Sequence, residues 1–268
     1  MLNFSANLSL LFNEIPILDR FMAAKKCGFN GIEIQFPYEI PAAQIKEQLV
    51  SNGLELVLIN VPAGDLMNGG EGLASVPSKK QEFIEAVDEA VRYAEILRPK
   101  CINVLPGCCL VKENLDQYLK TFKSNLVYAA DIFKELEVKV VFEAANIKDL
   151  PGFIIHKNDQ LIKVYEELKH PNVYFQYDIY HMHTMKEEYI SFIQKYTNTI
   201  GHFQFADSPG RHEPGTGEID FENLFKVIDS SEYKGWIGAE YKPSVKTSES
   251  LDWFVPFQKK IKFKKIKS

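Results

Sequence analysis

The sequence predicts an α/β protein of a single domain, a parallel (β/α)8 or TIM barrel. Short runs with apolar residues at every second position recur along the chain, and segments of helical periodicity fall between them. No linker of biased composition interrupts this alternation. A length of 268 residues suits one such barrel as well as two smaller domains, so the repeated strand and helix pattern decides. A doubly wound open sheet is the rival arrangement of the same elements.

In order, the first strand is Asn3-Phe4-Ser5-Ala6-Asn7, followed by a helix from about Pro16 to Lys26 that stops at Cys27-Gly28. Gly31 to Phe36 alternates as a second strand, and a helix over Pro41 to Asn52 ends at Gly53, a residue suited to the left-handed stop of a helix. Leu54 to Asn60 is the third strand, and Pro62-Ala63-Gly64-Asp65 opens a long loop to about Pro77, of a length that goes with function. A helix over Ser78 to Leu97, a strand over Cys101 to Leu105 and a helix over Glu113 to Leu136 follow. The fifth strand is Val138 to Glu143, then a helix over Asn158 to Leu168, a sixth strand over Val173 to Asp178 and a helix over Lys186 to Tyr196. The seventh strand is Ile200 to Phe205, the next helix Phe221 to Asp229, the eighth strand Trp236 to Glu240, and a last helix begins near Thr247. The barrel thus takes residues 1–258. Residues 259–268, with lysine at six of the first nine positions, read as a frayed helix end or a solvated basic tail.

Composition is that of an ordinary globular protein, 46% hydrophobic and 25% charged. A net charge of −5 argues against nucleic acid or an acidic membrane surface as partner. Cys27, Cys101, Cys108 and Cys109 lack the spacing of a structural zinc site and read as reduced thiols. No basic residue precedes Arg20 and no apolar run approaches the ~20 residues of a membrane span. The expectation is a soluble cytoplasmic protein, and a homo-oligomer is compatible with the sequence.

The chemistry starts at Val173-Tyr174-Phe175-Gln176-Tyr177-Asp178. Alternation puts Val173, Phe175 and Tyr177 on an apolar face and Gln176 and Asp178 on the other, which implies a polar barrel interior. Three more strands end in a polar oxygen: Glu143 on the fifth, Gln204 on the seventh and Glu240 on the eighth, at intervals of 35, 26 and 36 residues from one strand to the next. Four consecutive strands therefore deliver Glu143, Asp178, Gln204 and Glu240 to the C-terminal mouth, where barrel enzymes place their sites. Phe142, Phe203, Phe205, Ala239 and Tyr241 flank them and face the helices. Oxygen donors of this kind favour a hard divalent ion, Mg²⁺ or Mn²⁺, over Zn²⁺. An anionic substrate then needs local cations, and Arg211, His212 and Lys242 follow the seventh and eighth strands. His181, in the loop after Asp178, is placed to touch a substrate oxygen or orient Asp178, and His202 to pack beneath Gln204. Glu143 and Glu240 flank a chelated substrate from two sides. That suits moving a proton between neighbouring carbons through an enediolate.

These residues and their surroundings resemble the hydroxypyruvate isomerase family, within the xylose isomerase-like barrels. The motifs run nearly end to end: Phe4 to Ser9, Gln35 to Tyr38, Pro62 to Asp65, Asp178 to His181, Gly201 to Gln204, Arg211 to Ile219 and Gly235 to Pro243. The resemblance implies metal-assisted interconversion of hydroxypyruvate and tartronate semialdehyde, with Glu143 and Glu240 as acid and base and no organic cofactor. One departure is Glu143-Ala144-Ala145-Asn146 where the family commonly reads Glu-Pro-Ile-Asn. Relatives acting on longer acids such as 2-oxo-tetronate share most of these motifs. Barrel-type apurinic endonucleases need a histidine-rich zinc centre and a basic face, which this chain does not offer.

Overall fold

The computed structural model describes residues 2–258. Eight parallel strands close into a barrel in sequence order: β1 (Asn3–Asn7), β2 (Gly31–Glu33), β3 (Glu55–Asn60), β4 (Cys101–Asn103), β5 (Lys139–Glu143), β6 (Val173–Asp178), β7 (Ile200–Phe205) and β8 (Trp236–Ala239). β1 closes on β8, with Phe4 level with Ile237 and Ala6 level with Ala239. The helices are α1 (Ile17–Lys26), α2 (Ala42–Asn52), α3 (Lys80–Leu97), α4 (Leu115–Glu135), α5 (Asn158–Leu168), α6 (Ile179–Thr184), α7 (Tyr189–Tyr196) and α8 (Phe221–Ser230). None among the described residues is long and apolar enough to cross a membrane. The basic stretch 259–268 lies outside the described residues.

Local chemistry sets most of these boundaries. Gly53 takes a left-handed φ of 58° and closes α2 as expected, and Asp220 caps α8 by accepting from Asn223 N at 3.0 Å. α4 buries Tyr118, Phe122, Leu126, Ala129 and Phe133, the one-sided stripe of a helix lying on a sheet. The residues expected to face the helices, Phe142, Phe203, Phe205, Ala239 and Tyr241, are all buried in the apolar core between sheet and helices. Inside the barrel, toward the strand N-termini, a second cluster of Val57, Leu58, Cys101 and Val141 packs with Tyr174 and Trp236. This cluster fills the floor. The polar centre sits above it.

Three expectations change. β2 stops at Glu33, where its pairing with β3 shifts register between Ile32 and Glu33, and the Gln35 amide N–H turns to Ser9 Oγ. The stretch after β6 is not loop: Asp178 caps a short helix, α6, by accepting from Tyr180 N at 2.8 Å, so His181 is helical and α7 begins later, at Tyr189. The last helix begins later than Thr247: two 3-10 turns, Thr247–Glu249 and Asp252–Phe254, come first, and helical backbone follows over 255–258. Thr247 Oγ1, one cause, accepts from Phe12 N and donates to Glu14 instead of serving the following turn. The long loop after β3 is packed, with Asp65 accepting from Gly72 N at 2.9 Å and pairing with Lys79 at 3.1 Å.

Phe4 joins the first strand to the last turns, its ring meeting Phe205, Phe225, Trp253, Phe254 and Phe257 at centroid distances of 4.7–6.2 Å. Phe4→Ala should cost about 3–5 kcal/mol, the range for truncating a buried aromatic side chain, and chemical denaturation of the two proteins measures it.

Candidate active site

Period-two alternation turns Glu143, Gln176, Asp178 and Gln204 inward, and in register Asp178 lies level with Gln204 and Glu143 with Gln176. Glu240 follows directly on β8. All five are buried. Desolvation is the dominant cost here, and the structure meets it chiefly with neutral amides. Glu143 Oε1 accepts from Asn103 Nδ2 at 2.8 Å and Gln176 Nε2 at 2.9 Å. Glu240 Oε1 accepts from Asn7 Nδ2 at 3.0 Å, Gln35 Nε2 at 2.9 Å and Gln204 Nε2 at 3.3 Å, and its Oε2 meets Arg211 Nη2 at 2.5 Å.

Beneath them lies a residue that sequence reasoning missed. Glu33, fully buried, accepts from Ser5 Oγ at 2.6 Å and Gln204 Nε2 at 2.8 Å, and His202 Nε2 stands 2.9 Å from its Oε1. A Cβ at Gly238 would lie 2.1 Å from that oxygen, so the glycine makes room for it. His202 thus lies below the mouth, as expected. As donors to these carboxylates Asn7, Gln35 and Asn103 were missed as well, whereas Gln176 faces inward as its alternation with Asp178 predicts.

Burial, then the charges of Glu240 and Asp178, push the Glu143 carboxyl up to about 8. Burial pushes Glu240 up to about 7 against the opposing pull of Arg211. Asp178 is raised for the same reason, again opposed by Arg211. His181 goes the other way: burial, then the Arg211 cation, hold its pKa well below the usual imidazole range.

Of the three cations expected beyond β7 and β8, Arg211 alone reaches these carboxylates, at 2.5 Å from Glu240 and 3.8 Å from Asp178. Its Nε is buried with no hydrogen-bond partner among the described residues, and its Cζ sits 5.1 Å from the Tyr180 ring centroid. Arg211 occupies left-handed backbone, φ 58°, fixed by Lys242 N donating to its carbonyl at 2.7 Å. The loop below is moored on Asp207, whose carboxylate accepts from the backbone N–H groups of Ser208, Gly215, Gly217 and Ile219 at 2.8–3.1 Å. His212 is engaged elsewhere, donating from Nδ1 to the Lys242 carbonyl at 2.7 Å, and the Lys242 side chain is exposed.

Ligand atoms of Glu143, Asp178 and His181 lie within 4.8 Å of one another, a trio able to hold a metal ion. Gln204 and Glu240, expected beside Glu143 and Asp178 as ligands, line the same wall. Their polar atoms are shared, however, with Gln176, Glu33 and Arg211.

A barrel with this carboxylate mouth matches a known family. The xylose isomerase-like TIM barrel family model covers residues 21–257, and the chain belongs to that family. Hydroxypyruvate isomerase of Escherichia coli is 43% identical over 96% of this chain and 100% of its own length. The 2-oxo-tetronate isomerase of Pectobacterium atrosepticum is 37% identical over 97% of this chain and 99% of its own. A crystal structure from Brucella melitensis, titled AP endonuclease, family 2, superposes with a TM-score of 0.92 at 36% identity over 96% of this chain and 99% of that one. The protein is an isomerase of this family, similar over 96% of its length to hydroxypyruvate isomerase of Escherichia coli.

Protonation of Glu143 is linked to stability. Its folded pKa of about 8 exceeds the ~4.3 of a free glutamate, so its contribution is intact below the unfolded value and is lost as pH rises toward the folded one. Glu143→Gln, whose carbonyl can accept the same amide hydrogens, should therefore unfold at a higher temperature than metal-stripped wild type at pH 8.5–9. The gap should close near pH 5. Thermal unfolding across that range tests it, and a gap independent of pH would refute the burial argument.

Proposed function

We propose that the protein interconverts hydroxypyruvate and 2-hydroxy-3-oxopropanoate (tartronate semialdehyde) by acid and base catalysis through an enediolate. The observation that carries this is the pair of buried glutamates held near neutrality, Glu143 at about 8 and Glu240 at about 7. Two buried carboxyls raised by desolvation and reaching one mouth from β5 and from just after β8 suit a base and its complementary acid. One glutamate takes the proton from C3 of hydroxypyruvate and the other delivers a proton to C2. The hydroxyl proton on O3 passes to O2, so one C–H bond breaks, another forms, and the atoms balance.

The other residues bind and orient. Arg211, with its unpaired Nε, takes the substrate carboxylate, the forked geometry that a guanidinium offers best. His181 meets a substrate oxygen from α6. His212 and Lys242, with their observed positions, take no such part. The donor set fits a hard divalent cation: Glu143 and Asp178 are buried carboxylates with raised pKa, and Glu143 is held only by neutral amides. Glu143 and Asp178, with Gln204 and Glu240 on the same wall, would hold Mg²⁺ or Mn²⁺, which when bound would polarise the substrate carbonyl and offset the negative charge developing on it. Four free thiols, three of them buried, support a reducing, cytoplasmic setting. The net charge of −5 and the carboxylate-lined mouth support a small acid over nucleic acid as partner.

The likeness to 2-oxo-tetronate isomerase favours a second reading, the same chemistry on a four-carbon acid. Turnover of hydroxypyruvate by metal-stripped protein, with and without Mg²⁺ or Mn²⁺ and beside a four-carbon oxo-sugar acid, separates the two. Metal-dependent conversion of hydroxypyruvate is expected. Activity confined to the longer acid would move the substrate and keep the mechanism, and metal-independent turnover would remove the cation from it. Glu240→Gln should lose about 10²–10⁴-fold in kcat with the fold retained, and an unchanged rate would sink the acid and base assignment.

A further inference from the structure

His181 belongs to the trio able to hold an ion and also stands where a substrate oxygen would arrive. Which it serves depends on the proton at Nε2, and the hydrogen bonds around its other nitrogen decide that. The backbone N–H of Asn146 donates to His181 Nδ1 at 3.3 Å, and Asn146 Nδ2 lies 2.8 Å from the same atom. A backbone N–H has no acceptor capacity, so Nδ1 carries no proton.

The Asn146 amide is oriented with equal certainty. Its Oδ1 accepts from two backbone donors, Lys148 N at 3.1 Å and Asp149 N at 2.9 Å. Its Nδ2 hydrogens are then spent on His181 Nδ1 and on Asp149 Oδ2, 3.0 Å away. Exchanging O and N would set a donor against two donors and an acceptor against a carboxylate. Asp149 Oδ2 is held in turn by Tyr180 Oη at 2.9 Å, from the residue beside His181. Asn146 is fully buried and His181 nearly so. The proton of a neutral imidazole therefore sits on Nε2, the nitrogen 3.5 Å from Asp178 Oδ2 at the site's interior.

We propose that Asn146 is a positioning residue for the reaction: it fixes His181 as the Nε2–H tautomer, so that the imidazole donates to a substrate oxygen and takes no part in holding a cation. Ligation through Nε2 would need its lone pair, hence a proton on Nδ1 directed at two N–H donors. This deepens the isomerase reading and rests on it for the substrate, while the tautomer itself requires neither substrate nor activity. Asn146 is three residues past Glu143, so the end of β5 and the three residues after it carry a glutamate of the acid and base pair and set the polarity of the donor facing it.

The full chain labelled with ¹⁵N in its histidine rings, with the His181 signals assigned by their loss in His181→Gln, tests the proposal by long-range ¹H–¹⁵N spectroscopy. A protonated Nε2 and a bare Nδ1 are expected, unchanged on adding Mg²⁺ or, separately, Zn²⁺. An Nδ1–H tautomer, or an Nε2 that gives up its proton to either ion, overturns the proposal whatever the substrate proves to be. In Asn146→Asp, where the atom facing Nδ1 can become an acceptor, the Nδ1–H form should appear. There kcat on the turned-over acid should fall about 10²-fold, the loss typical of one misdirected catalytic hydrogen bond, with KM within threefold. His181→Gln combined with Asn146→Asp should be no slower than His181→Gln alone, whereas losses that multiply would show that Asn146 does not act through His181. Asn146→Ala, which keeps the backbone donor, should retain the Nε2–H signature with a smaller loss of rate, and an Nδ1–H form there would overturn the proposal.

Discussion

Four carboxylates, Glu33, Glu143, Asp178 and Glu240, are buried inside one barrel, and the guanidinium of Arg211 reaches only two of them. Enclosing that much potential charge is costly, and charges without partners would unfold the barrel before they did any chemistry. The interior answers with amides. Asn7, Gln35, Asn103, Gln176 and Gln204 each place an N–H on a carboxylate oxygen. Neutral donors satisfy lone pairs without supplying a full positive charge, so the carboxyl pKa values stay high. The arrangement that makes the centre tolerable to fold around is also what leaves both glutamates raised by burial above the usual carboxylate range.

Much of this was legible in the sequence. The two-residue alternation on β5 to β8 placed Glu143, Asp178 and Gln204 on the inner wall and turned Phe142, Phe203 and Phe205 toward the helices, because a closed parallel barrel leaves a strand side chain only those two directions. The same reasoning extends to Glu33, whose neighbours Ile32 and Ile34 are both in the core, but Glu33 lies in the middle of the predicted strand Gly31 to Phe36 and not at its C-terminal end, where site residues were sought. α6 is one turn and a half, too short for periodicity to show, and the sign that it exists is an aspartate acting as its cap.

What no pattern along the chain carries is pairing across it. The charge on Arg211 is useful because a left-handed residue and a loop moored on Asp207 bring it back over Glu240, while His212 beside it is turned to a carbonyl. Likewise the proton position on His181 depends on a backbone N–H 35 residues earlier. Residue type announced the chemistry, and tertiary hydrogen bonds chose which of several similar residues perform it.

Asp178 has one oxygen on the backbone of α6 and the other toward His181 and Arg211. The helix that brings His181 and Tyr180 to the mouth is thus pinned to the end of β6 by a carboxylate of the candidate site. That wall can neither retreat nor tilt to admit a larger molecule without uncapping its own helix. Room for a longer acid has to come from the opposite rim, from the loops after β2 and β3, because the segment after β5 is tied to the same wall through Asn146 and His181.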